Sequence, residues 1–206
     1  MRNAAILLIM LGALLASGCK EKKKSGEKWV EKTETFYAVA DAYVSETLSS
    51  SNFGNLTMCS AGYNGGYEAA TLIKWDLSSI PSNAEIVEAR VELNITARSS
   101  GVDSCKFGVY RLYTDWDEST VTYDDYVNVI YSLIDTFYGP STTGPCEICS
   151  SQSLISVVKE WVQDPSTNFG LSIEPKWFSP PDEYINFSSR EGGVAPKLVV
   201  KYRYKQ

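Results

Sequence analysis

Four aromatic side chains lie where a turn would hold them at a loop tip. Trp177 and Phe178 fall between Pro175 and Pro180-Pro181, a segment that cannot continue a central strand because proline brings no ladder N–H. Tyr63 and Tyr67 flank Asn64-Gly65-Gly66, which has the composition of a tight hairpin turn. Rings held this way present flat apolar faces that suit the C–H side of a pyranose, while neighbouring planar donors and acceptors would fix the hydroxyls. Lys176 and Arg190 supply cations that could pair with a uronic acid carboxylate. Trp177 and Phe178 have an equally good structural use, capping an edge of the fold or packing on the long segment Asn128 to Ser151.

Other chemistry finds less support. The chain has no histidine, which removes the commonest general base and the commonest metal ligand. Carboxylates, tyrosines and lysines are present, but no spacing singles out a catalytic pair, and a non-catalytic role is expected. Asp115, Asp117 and Glu118, or Asp124 and Asp125, offer oxygen ligands for a structural calcium ion, without any EF-type spacing. No other cofactor or metal is expected. Cys59, Cys105, Cys146 and Cys149 are an even number in a chain that reads as exported, so two disulfides are expected with the pairing open. The pair Cys146-Glu147-Ile148-Cys149 lacks the βαβ setting of a redox motif.

The export reading comes from the start of the chain. Arg2 precedes an apolar run, Ala5 to Leu15, too short to span a bilayer, and Ser17-Gly18-Cys19 follows; this is a signal peptide whose end resembles the bacterial lipobox. Residues 1–18 are read as that signal, with Cys19 as the lipidated residue and 19–34 as a charged linker carrying six Lys and four Glu from Lys20 onward. The protein is therefore expected in the cell envelope, periplasmic or at the cell surface, tethered to a membrane by acyl chains. Residues 35–206 form one domain with 12 basic and 21 acidic residues. That excess of negative charge argues against nucleic acid, which is held mainly by cationic contacts to phosphate.

The elements that must position these residues are short and mostly extended. Ala38 to Val44, Ala69 to Trp75, Ala84 to Thr96, Cys105 to Tyr113, Gly170 to Glu174, Tyr184 to Ser188 and Lys197 to Tyr204 read as strands between turn signals. In the third, Val87, Ala89, Val91, Leu93 and Ile95 alternate with polar residues, giving one buried and one wet face. Leu154 to Gln163 reads as a helix with Ser153 as its N-cap and Asp164-Pro165 as its stop. An all-β two-sheet sandwich with one short helix fits this pattern. Trp75, Trp116 and Trp161 are expected in its core.

A series of signatures runs along the whole domain: Ala40-Asp41-Ala42-Tyr43-Val44, Asn52-Phe53-Gly54, Leu72-Ile73-Lys74-Trp75-Asp76-Leu77, Val109-Tyr110-Arg111-Leu112, Asp115-Trp116-Asp117-Glu118-Ser119, Glu160-Trp161-Val162, Asn168-Phe169-Gly170 and Phe187-Ser188-Ser189-Arg190-Glu191. In this order they resemble the DNRLRE domain, also called the disaggregatase-related repeat and grouped with carbohydrate-binding modules. The resemblance implies a jelly-roll-like β-sandwich on secreted or surface proteins that binds polysaccharide, acidic in some members. Tyr123 stands where many members carry Trp, and the insertion Asn128 to Ser151 exceeds the usual connection. A structural or adhesion component of the envelope, contacting protein partners, is the alternative.

Overall fold

Alternating sequence becomes antiparallel sheet throughout the computed structural model, which describes residues 28–176 and 182–206. The expected signal segment, Cys19, Trp177 and Phe178 lie outside the described residues. The strands are β1 (Trp29–Ser45), β2 (Met58–Asn64), β3 (Tyr67–Trp75), β4 (Glu85–Arg98), β5 (Lys106–Leu112), β6 (Tyr131–Tyr138), β7 (Gly144–Cys149), β8 (Leu171–Pro175), β9 (Tyr184–Ser188) and β10 (Lys197–Lys205). A four-residue helix α1 (Tyr123–Tyr126) precedes β6, and α2 (Gln152–Gln163) follows β7. No helix among the described residues is long and apolar enough to cross a membrane.

The pairings make two layers that share two strands. One layer runs β1-β10-β4-β9-β2, with β7 also on β4; the other runs β1-β3-β8-β5-β6. β1 serves both, because Trp29 to Tyr37 pair with β10 and Ala38 to Ser45 with β3, the switch falling at a register shift between Ala38 and Ala40. β2 does the same more briefly, pairing with β9 over Met58 to Gly62 and with β3 over Gly62 to Asn64. The expected all-β sandwich is therefore what the chain forms. Trp29 to Glu34, part of the run read as linker, are already in β1.

Burial follows the alternation with one phase change. Ala89, Val91, Leu93 and Ile95 face the core, but Ile86 replaces Val87 there, because a register shift at Lys201/Tyr202 puts an extra residue into β4 and reverses the faces beyond it. Between the layers lie Phe107, Ile173, Phe187, Leu198 and Val200, joined by Leu154, Val157, Val158 and Trp161 of α2. Ser151 rather than Ser153 caps that helix, its hydroxyl accepting from Leu154 N at 3.2 Å. A second apolar cluster, including Leu72, Leu112, Trp116 and Tyr126, lies on the outer side of β3, under α1 and the segment before it. Trp75, Trp116 and Trp161 are all buried. The first two donate their indole N–H groups to Pro196 O at 3.2 Å and Phe169 O at 2.8 Å.

The insertion 128–151 is structured, since it supplies β6 and β7. The expected disulfides are not formed: Cys59, Cys105, Cys146 and Cys149 are free thiols. Cys59 is on β2, where its thiol donates to Asp41 Oδ1 at 3.5 Å, and Cys105 lies just ahead of β5. Cys146 and Cys149 are both on β7, opposite Leu93 and Val91; an extra residue between them brings both sulfurs to the core side. Burial pushes the Cys59 thiol well above its ordinary range and that of Cys149 up to about 12. Protonated and enclosed, these side chains act as small apolar packing groups.

Candidate functional site

The two tyrosines of the β2–β3 hairpin do not share a face. Gly65 and Gly66, with φ of +63° and +82°, form a two-residue turn, so Asn64 pairs with Tyr67 and Tyr63 with Glu68. Side chains alternate along a strand, which sends Tyr63 to one side with Glu68 and leaves Tyr67, half-exposed, on the other with Asn64.

Tyr67 enters a groove of about 370 Å³ at the end of the sandwich, where β2 passes from one layer to the other. Its walls come from four strands: Tyr43 and Ser45 of β1, Met58, Ser60 and Asn64 of β2, Tyr67 and Ala69 of β3, and Tyr184 and Asn186 of β9, with Thr47 and Leu48 from the 3-10 turn after β1. On β9 the residues that alternate with these, Ile185 and Phe187, point into the core. Sequence alternation thus delivers Tyr184 and Asn186 to the outside together. The ring of Tyr43 is backed by Phe53, with centroids 4.5 Å apart and planes 9° from parallel. Below it, the Thr71 hydroxyl donates to Ser60 O at 2.7 Å, fastening β2 over β3.

Tyr184 is held by main-chain and hydroxyl contacts. Its N–H donates to Ser99 Oγ at 2.9 Å, and its carbonyl accepts from Ser99 N at 3.1 Å. Gly62, at φ +131°, lets β2 approach this segment so closely that a Cβ there would lie 2.4 Å from Glu183 O and 2.6 Å from Tyr184 Cα. Gly62→Ala is therefore expected to lower the unfolding free energy by about 2 kcal/mol, read by urea denaturation, because both backbone strain and overlap oppose it.

The other expected site residues lie elsewhere. Arg190 donates through Nη2 to Glu118 Oε2 at 2.5 Å and lies 2.8 Å from Glu191 Oε1, and its backbone N–H donates to Asp41 Oδ2 at 2.8 Å. Lys176 stands at the end of β8, its Nζ 5.8 Å from the centre of the Tyr110 ring. Sequence reasoning missed Tyr43, Tyr184 and Asn186; the alternation in Tyr184 to Ser188 was the available signal for the last two.

Of the acidic residues considered for calcium, Asp115, Asp117, Glu118 and Asp125 are engaged by protein donors. Asp115 pairs with Lys74 at 2.8 Å, Asp117 accepts from Ser119 N at 2.8 Å, and Asp125 closes a capping box with Thr122. One oxygen each of Asp41, Glu118 and Glu191 lie within 4.8 Å of one another, but the Arg190 guanidinium already provides the positive charge on two of them. A larger cleft of about 460 Å³ runs from Thr114 to Val129; its one large ring, Trp116, is only 9% exposed and offers no free face.

The groove therefore combines three tyrosine rings, two side-chain amides and three hydroxyl-bearing residues on a framework of paired strands. No curated protein matches this sequence. Residues 32–202 match the model of carbohydrate-binding module family 96, which spans both layers of the sandwich and the groove at its end, and the chain belongs to that family.

Proposed function

We propose that this protein is a lipid-anchored, non-catalytic polysaccharide-binding module of the cell envelope, periplasmic or at the cell surface, and that the groove around Tyr67 and Tyr184 is where the glycan binds. The observation that carries the reading is the groove's composition: rings for the apolar faces of sugars, with Asn64, Asn186 and Ser60 beside them for the hydroxyls. Its walls are hydrogen-bonded strands, so little ordering opposes binding. The anchor fits the same geometry. β1 begins ten residues beyond Cys19 and runs from Trp29 to Ser45, roughly 50 Å at the usual rise per residue, so the groove lies at the end of the strand remote from Trp29.

Affinity electrophoresis of the full chain in gels containing soluble glycans tests this. Retardation by at least one polysaccharide is expected, with Tyr67→Ala weakening it about tenfold, near 1.4 kcal/mol, at unchanged thermal stability. Unaltered mobility in every glycan would overturn the reading. A protein-contact role is the second reading, favoured by the outer strand β6, whose neighbourhood exposes Ile130, Tyr131, Leu133 and Tyr138; retention of envelope proteins that glycan does not compete away would support it.

A further inference from the structure

We propose that the groove selects an uncharged glycan and discriminates against uronates, an inference that rests on the glycan-binding reading above. None of the side chains lining the groove is charged. A carboxylate entering it would lose water and meet only amides, hydroxyls and rings, none of which neutralises it. A hydroxymethyl group in the same place meets partners that donate and accept as it does.

The border adds repulsion. Glu46 follows Ser45 and accepts from Glu68 N at 3.0 Å, Asp182 accepts from Gly65 N at 2.5 Å, and Glu183 accepts from the Ser99 hydroxyl. Three carboxylates thus stand on the segments that border Ser45, Tyr67 and Tyr184, and where salt does not screen them they oppose an approaching anion. The cations that could have received a uronate are turned to other tasks: Arg190 is shared between Glu118 and Glu191, and Lys176 lies beside Tyr110 on β8.

The test uses matched polymers. Polygalacturonate and polymannuronate are compared with their carboxyl-reduced forms, which keep linkage and stereochemistry but replace each carboxylate with CH₂OH, alongside neutral mannan, galactan and β-glucan. Isothermal titration with the full chain is run at 20 mM and 500 mM NaCl, for wild type and Tyr67→Ala. The expected result is that the tightest ligand is neutral, that any reduced polymer bound is held at least tenfold more tightly than its parent uronate, that affinity changes less than twofold with salt, and that Tyr67→Ala weakens it. A uronate that binds most tightly and loses tenfold or more in affinity at high salt overturns the selectivity while leaving glycan binding intact. Neutral binding that Tyr67→Ala leaves unchanged overturns the assignment to this groove. Absence of binding to every polymer overturns the glycan-binding reading itself, and the selectivity with it.

Discussion

Replacing Trp75 with Ala is expected to lower the unfolding free energy by about 3–5 kcal/mol, the range for emptying a large aromatic site in a packed core. Trp75 is 1% exposed. It ends β3 opposite Ala38, at the point where β1 changes partner from β10 to β3, so its ring fills the corner between the two layers. Its indole N–H donates to Pro196 O, and its carbonyl accepts from Asn168 Nδ2 at 2.8 Å. Truncation leaves a cavity and takes from the Pro196 carbonyl one of its two donors, the other being Ala38 N at 2.8 Å, and the two losses act together. Trp29→Ala is the control: that ring is 49% exposed at the start of β1, and its loss is expected to change stability by about 1 kcal/mol or less. Urea denaturation of both variants checks this. A Trp75→Ala loss below about 1 kcal/mol would mean that the corner is not packed as described.

The burial of Trp75, though not the corner it fills, was legible in the sequence because an apolar strand ending in Trp-Asp-Leu has few places to put so large a ring. The strands with clean alternation, β4 and β10, were legible for the same reason: period two with one wet face leaves a single register. β6 and β7 were not. Tyr131 to Tyr138 carries side chains that are mostly half-exposed on both faces, so its pattern signals no core, and Gly144 to Cys149 is marked by a proline and a glycine that read as loop. The bulge that exchanges Val87 for Ile86 arises from pairing with β10, which local sequence does not contain. The cysteines misled because an even count in an exported chain carries no geometry; only the fold shows that Cys59 turns to Asp41 and that Cys146 and Cys149 share one strand.

The groove was half legible. The Asn-Gly-Gly turn marked the hairpin, and had the turn been counted as two residues, Tyr67 would have paired with Asn64 and Tyr63 would have fallen on the other face. Tyr43 and Tyr184 could not be added from the sequence, because they approach Tyr67 only through the β1–β3 and β2–β9 pairings. Binding surfaces assembled from four strands depend on long-range register, the least local information a chain carries. The family match supplies what local pattern cannot, since it covers the order of all these strands at once.

Asp41 sets the second large effect. Its carboxylate is 1% exposed, and burial raises its pKa from 3.8 to about 6 against the lowering effect of the Arg190 N–H. Between about pH 4 and pH 6 the folded protein therefore holds a proton that the unfolded chain has released. Stability must fall as pH rises through that window, by roughly 2–3 kcal/mol from this group alone. Carboxylates held low by their partners, such as Asp115 beside Lys74 and Glu160 beside Arg111, act in the opposite sense, losing their contribution as pH falls, so the wild-type curve by itself is a sum of opposed slopes. Asp41→Asn isolates the one group. The amide oxygen can still accept from Arg190 N–H, and its NH₂ can donate to the Cys59 sulfur. Near pH 4 the variant should match wild type to within about 1 kcal/mol, and by pH 7 it should exceed it by roughly 2–3 kcal/mol, measured as the difference between two urea-denaturation series. Parallel series would show that Asp41 ionises as an ordinary surface carboxylate. Its position argues otherwise: one side chain joins β1, β2 and the turn at Arg190, and the backbone N–H of the same residue donates to Glu118 Oε1 at 2.7 Å. Such a junction ties together segments that no sheet ladder pairs, which is a physical reason for a sandwich to keep an acid that destabilises it above pH 6.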